Sequence, residues 1–312
     1  MGMEVQKVRS GTDGLLLEVM ICEPAGTPEG VVQICHGMSE HKERYLPFME
    51  YLNAQGFAAV IHDHRGHGNS VKSKADLGYM YGGGARALVE DTHQITTLCK
   101  KRFPGVPFIL FGHSMGSLIA RAYTKRYDSE LDLLILFGSP SENTALGLGK
   151  CLARLEKLIF GDRHRSRLIE FLSFGSFAGR FADEKNRYAW ICSDRKVCLE
   201  YERSPKCGFV FTDDAYLALF GLMEAVYSAK GWNCQKPELP VLFAAGADDP
   251  CIGNVRKFKK ALMAMRLAGY RNVKGKLYPG MRHEILNETD KQKVFSDVCK
   301  YMKKQLRNGE NK

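Results

Sequence analysis

Residues 107–118 read Pro107-Phe108-Ile109-Leu110-Phe111-Gly112-His113-Ser114-Met115-Gly116-Ser117-Leu118. A short apolar run ends on Gly-x-Ser-x-Gly, and helical periodicity follows over 117–126. By chance alone the triplet arises in roughly one chain in ten of this length, so its surroundings decide. A strand that turns sharply into a helix strains the residue at the turn and exposes its side chain. Glycines two places to either side remove the side chains that would collide there. The stretch therefore predicts a buried strand over 107–111, a helix over 117–126, and Ser114 as a nucleophile displayed between them.

Outward from this turn, the same alternation continues. Apolar, β-branched runs at 15–21, 31–35, 57–62 and 133–137 read as strands, with helical patterns at 44–54 and 86–101. Strands alternating with helices imply an α/β fold with a mostly parallel central sheet flanked by helices. From 141 to 235 the rhythm breaks into helical segments without a convincing core strand, the pattern of an inserted helical cap. It resumes with a strand at 241–245, a helix at 255–267, a strand at 274–278 and a helix at 290–306. The expected division is a core of 1–140 and 236–312 and a cap of 141–235.

Composition bounds the function classes. The 312 residues are 45% apolar and 26% charged, enough to bury a substantial core. No window approaches the apolar length of a membrane span, and the first residues lack the pattern of a secretion leader, so the cytoplasm is the expected compartment. Ten cysteines are scattered without a Cys-x-x-Cys pair, which predicts buried or incidental thiols rather than a disulfide framework. The net charge of +10 draws on Arg256, Lys257, Lys259, Lys260, Lys300, Lys303 and Lys304. Solvated helix faces are the expected role, with transient contact to an anionic lipid surface as the alternative. No recognition motif accompanies the charge, so nucleic acid is not an expected partner.

A serine hydroxyl is a weak nucleophile: it needs an imidazole to take its proton and a carboxylate to hold that imidazole in the right tautomer. His283 lies just beyond the last predicted strand, in Tyr278-Pro279-Gly280-Met281-Arg282-His283. The acid should follow the preceding strand, where Gly246-Ala247-Asp248-Asp249-Pro250 offers two aspartates. Pro250 favours extended backbone at Asp249, which makes it the better of the two. Charge developing on a substrate carbonyl needs backbone N–H donors. Met115, after the serine, supplies one, and Met38, in the turn His36-Gly37-Met38 after an early strand, is placed to supply the other. His62, His64 and His67 resemble half of a binuclear metal site. The hydrolytic form of that motif carries Asp just before its third histidine, where this chain has Gly66, so no metal is expected.

Together, His36-Gly37-Met38-Ser39-Glu40-His41 with Arg44-Tyr45, Asp63-His64-Arg65-Gly66-His67-Gly68-Asn69-Ser70 and Gly112-His113-Ser114-Met115-Gly116 resemble the monoacylglycerol lipase and lysophospholipase branch of the α/β-hydrolases, also described as serine aminopeptidase-like. The resemblance continues through 246–250 and 278–283 and implies Asp249 as the acid, a cap over the site, no cofactor, and a lipid-derived acyl ester or amide as substrate. Phe171, Phe174 and Phe177 fall in an aromatic-rich stretch of the expected cap. They are expected to line an acyl tunnel or meet a lipid surface, the alternative being that they pack the cap onto the core. The expected activity is a serine carboxylic ester hydrolase working through an acyl-enzyme. An aminopeptidase or amidase is the rival enzyme reading, with Glu170, Asp183 and Glu184 available to hold a free amine. A non-catalytic binding protein on the same fold is the rival outside enzymology.

Overall fold

In the computed structural model, which describes residues 2–310, the apolar runs become strands because they are covered on both faces. Strands β3 (Gly30–Cys35), β4 (Phe57–His62), β5 (Phe108–His113), β6 (Leu133–Phe137) and β7 (Val241–Gly246) are buried along their whole length. Such strands read as continuous rather than alternating apolar runs. With β1 (Gly2–Arg9), β2 (Leu16–Glu23) and β8 (Val273–Tyr278) they form one sheet in the order β1-β2-β4-β3-β5-β6-β7-β8. The β1–β2 and β2–β4 pairings are antiparallel and the other five are parallel.

Helices cover both faces. On one side α1 (Leu46–Ala54) and α9 (Lys291–Glu310) press Phe48, Met49, Leu52, Phe295 and Val298 onto the sheet. On the other, α2 (Gly84–Arg102), α3 (Met115–Tyr127) and α8 (Val255–Leu267) bring Leu88, Ile95, Leu118, Ile119 and Phe258. The predicted helix at 44–54 divides into a 3₁₀ turn, Lys42–Tyr45, and α1. Pro47, which has no N–H to donate, sits in the first turn of α1 where none is required.

Between β6 and β7 the chain carries α4 (Leu146–Phe160), α5 (Arg167–Gly179), α6 (Arg195–Arg203) and α7 (Asp213–Tyr227), and no strand. α7 returns to the core layer, where Tyr216, Leu219, Leu222 and Val226 join the cluster of α2 and α3. Among the described residues no helix is long and apolar enough to cross a membrane. All ten cysteines are free. Strand β1 is absent from the sequence reading, which begins the sheet at residue 15. It is an edge strand with most of its residues exposed, so it lacks the apolar alternation that marks a half-buried strand.

Candidate active site

Ser114 stands at the C-terminal end of β5, near the middle of the sheet where strand order reverses, the place open α/β sheets reserve for ligands. Its φ of 51° and ψ of −121° are strained for a residue with a side chain, and its N–H donates to Phe137 O at 2.9 Å. The flanking glycines are sterically compelled. A Cβ on Gly116 would lie 2.0 Å from Cys35 O, and one on Gly112 would lie 2.4 Å from Gly116 O. Met115 opens α3, so its N–H belongs to the first turn, where no intrahelical carbonyl can accept it.

Met38 lies in the turn after β3, and this turn is fastened on every side. Gly37 N–H donates to Glu40 Oε1 at 2.5 Å, and Tyr45 O–H donates to the same oxygen at 2.9 Å. Arg44 bridges Glu40 at 2.7 Å and grips Glu284 with two bonds of 2.6 and 2.5 Å. The fork therefore joins the Met38 turn to the residue after His283. Burial raises the Glu40 carboxyl pKa despite Arg44. Burial also acts to raise that of Glu284, but Arg44's charge outweighs it and holds this carboxyl below its ordinary value. Ser39, at a φ of 54°, is held by His67 Nε2, which accepts its N–H at 3.2 Å, and by Tyr201 O–H donating to its carbonyl at 2.8 Å.

His62, His64 and His67 come together with His36 as a buried cluster, with ring centroids 4.3 Å apart for His36–His64 and 4.6 Å for His62–His64. Burial pushes all four below the ordinary histidine range, His62 to about 3 and His67 to about 4. They are thus neutral acceptors: His36 Nε2 takes the His64 N–H at 3.0 Å. Their role is to shape the turn that carries Met38. Sequence reasoning noticed their spacing as a metal motif but missed this supporting part, because three of them lie at the end of β4 and in the loop after it, distant in sequence from His36.

His283 and Asp249 meet in the loops after β8 and β7. His283 Nδ1 and Asp249 Oδ2 are 3.0 Å apart, both side chains are buried, and Asp249 Oδ1 accepts the Cys251 N–H at 2.8 Å. Of the two competing aspartates, the structure brings Asp249 to the imidazole. Burial of the ring opposes its charge, but the charge and hydrogen bond of Asp249, with Glu284 and Glu40 behind, outweigh that and raise the His283 pKa. Neighbouring His113, its ring centroid 4.7 Å away, is pushed well below the ordinary value by burial and by His283.

Ser114, Met38, Met115 and His283 line one cavity of about 510 Å³. Phe171, Phe174 and Phe177 of α5 line it too. Phe177 packs on Trp190 at 5.3 Å and Trp190 on His283 at 5.1 Å between ring centroids, so aromatic rings run from α5 to the imidazole. Trp190 escaped the sequence reading because it lies in an irregular stretch with no period to assign its face. The acidic residues suggested for an amine pocket are otherwise engaged or exposed: Glu170 pairs with Arg187 at 3.0 Å, Glu184 pairs with Arg282, and Asp183 faces solvent.

A parallel sheet covered on both faces, with a serine on a strained strand-to-helix turn at its centre, defines the α/β-hydrolase class. The chain belongs to the family described as serine aminopeptidase, S33, whose model matches residues 26–290. A monoacylglycerol lipase from Mycolicibacterium smegmatis is 27% identical over 297 residues, covering 94% of this chain and 95% of that protein. The monoglyceride lipase of Homo sapiens is 34% identical over 108 residues, 35% of this chain and 34% of its own length. Among solved structures, a highly thermostable carboxyl esterase from Bacillus coagulans, in complex with glycerol, shares the fold at a TM-score of 0.90 and 24% identity, with 98% of this chain and 99% of that one covered. The protein is accordingly a serine hydrolase of the carboxylic-ester type.

Proposed function

We propose that this enzyme hydrolyses a lipid-derived acyl ester of the monoacylglycerol or lysophospholipid kind through an acyl-enzyme on Ser114. The observation that carries the reading is the buried His283–Asp249 pair, whose imidazole lines the same aromatic-lined cavity as the strained serine. In this mechanism His283 takes the Ser114 proton as Oγ attacks the carbonyl carbon, and Asp249 holds the ring and stabilises its charged form. The N–H groups of Met38 and Met115 receive the oxyanion. His283 then protonates the leaving alcohol, and water repeats the sequence to release the acid.

A volume of about 510 Å³ suits a single small ligand buried over most of its surface. The occupied carboxylates of Glu170 and Glu184 favour an ester with an acyl tail over a substrate with a free amine. We assign α4 to α6 as the cap, with α7 as part of the core layer on which it rests. Large apolar side chains left exposed on the cap, among them Leu158 at 83% and Leu148 at 77%, form the kind of patch that meets a lipid surface.

The test is hydrolysis by the wild type and Ser114→Ala over a panel of monoacylglycerols, lysophospholipids, nitrophenyl esters and aminoacyl amides. Activity confined to the wild type and greatest on one medium or long acyl ester is the expected result. Equal activity in the variant would remove Ser114 from the mechanism, and a preference for aminoacyl amides would transfer the reading to the peptidase side.

A further inference from the structure

Away from the cavity, the end of α4, the α4–α5 connection and the start of α7 bring Glu156, His164 and Asp213 together. One ligand atom from each lies within 4.8 Å of those of the other two. Asp213 N–H donates to His164 O at 2.8 Å, and His164 Nδ1 lies 3.0 Å from Asp213 Oδ2, so the loop and helix are locked in mutual register. Asp213 is fully buried, yet its Oδ1 has no hydrogen-bond partner. Glu156 Oε2, also shut off from solvent, has none either.

A buried carboxylate oxygen without a donor costs stability, and two carboxylates close together add repulsion. The neighbouring cations are committed elsewhere: Lys157 pairs with Asp214 at 3.1 Å and Arg163 with Asp76. A protonated His164 would offset one negative charge and leave the second. We propose that Glu156, His164 and Asp213 bind a divalent transition-metal ion of the Zn²⁺ type, which ties the end of α4 to the start of α7. One imidazole and two carboxylates are a zinc donor set, with water completing four-coordination. Calcium, which takes six to eight oxygens, is a poor match. Zinc bonds of ~2.0–2.2 Å set ligand atoms about 3.4 Å apart, a contraction that rotation of the half-buried Glu156 and His164 side chains supplies. None of the three residues lines the cavity, so the ion is structural: it fixes the root of the insertion on a helix packed against α2 and α3.

The experiment is titration of chelator-treated full-length protein with ZnCl₂ by calorimetry and thermal melting, with Co²⁺ absorption as a probe of the coordination shell. One equivalent should bind and raise the melting temperature by several degrees, with hydrolysis of a soluble ester unchanged. Glu156→Gln and His164→Asn, at half-buried positions where the fold tolerates change, should each weaken binding about tenfold or more. Saturable binding that is equal in wild type and both variants, or that only inhibits hydrolysis, would put the ion on a thiol or on His283 and overturn the proposal. So would the absence of saturable binding, and a Glu156→Gln protein that melts higher than wild type would then show that the two carboxyl groups merely share a proton.

Discussion

Helices α3 and α4 are of similar length, 13 and 15 residues, and bury very different surfaces. Every residue of α3 from Met115 to Thr124 is buried, whereas α4 buries Ala153 alone. The same contrast separates the two walls of the cavity. The floor presents Ser114 and His283, with Asp249 buried behind the imidazole, and the roof holds aromatic rings on helices whose outer faces are apolar and exposed. Reacting atoms need placement to a fraction of an ångström, which close packing supplies. A surface that admits a flexible chain is served by helices with few buried contacts, since these open at low cost.

The sharpest way to break this comparison is at the floor. Asp249→Asn should retain the fold, because Asn can still accept the Cys251 N–H, but lower kcat about 10⁴-fold by favouring the wrong imidazole tautomer. Asp248→Asn, one residue away and outside that pair, should stay within about twofold of wild type. Comparable losses in the two variants would mean that the buried pair is not the functional one. Next in size is Glu40→Ala, which frees the Gly37 N–H and unbalances the Arg44 fork. It should lower kcat ~10–100-fold with little change in KM, as expected when an oxyanion donor is displaced rather than removed. Glu40→Gln should restore part of the loss.

The pH profile tests the same wall with a smaller displacement. In the proposed mechanism His283 acts as a base only when neutral, and the charge and hydrogen bond of Asp249 raise its folded pKa above the ordinary 6.5. Activity should therefore fall as pH drops through a midpoint above 6.5 in the kcat/KM profile. The stabilisation from the Asp249 pair has the matching sign: it is complete below the unfolded histidine value and is lost as pH rises through the folded one. In Asp249→Asn the burial effect is left largely unopposed, and the midpoint should move to lower pH. A midpoint that stays in place would remove Asp249 as the cause of the shift.

How far the molecule was legible follows the same division. The strands β3 to β7 and the turn at Ser114 declare themselves because full burial demands unbroken apolar runs and the sharp turn demands glycines. His283 and Asp249 were read from chain order, and Pro250 favoured the aspartate that the structure brings to the imidazole. The Arg44 fork was present in the sequence as quoted residues, but its meaning depends on Glu284, 240 residues further on, and no local pattern links them. Trp190 and the histidine cluster were hidden for a related reason: each acquires its role from contacts between segments. α7 falls inside the stretch read as a cap, and a helical period alone does not tell which helix of such a stretch packs against α2 and α3.

The smallest expected effect lies on the roof and concerns only lipid-borne substrate. Leu155 and Leu158 of α4 are exposed, at 53% and 83%, so the double change Leu155→Ser and Leu158→Ser forfeits almost no packing. Stability should stay within about 0.5 kcal/mol of wild type per site, and hydrolysis of a soluble short-chain ester should be unaltered. If this face rests on lipid, burying even half of one leucine side chain contributes about 1 kcal/mol. The double variant should then need about fivefold or more vesicle surface to reach half-maximal hydrolysis of an embedded monoacylglycerol. Equal loss on soluble and embedded esters would instead tie these leucines to the cavity's own shape. That would collapse the distinction between a close-packed floor proposed to perform the chemistry and a lightly packed roof proposed to meet the substrate's source.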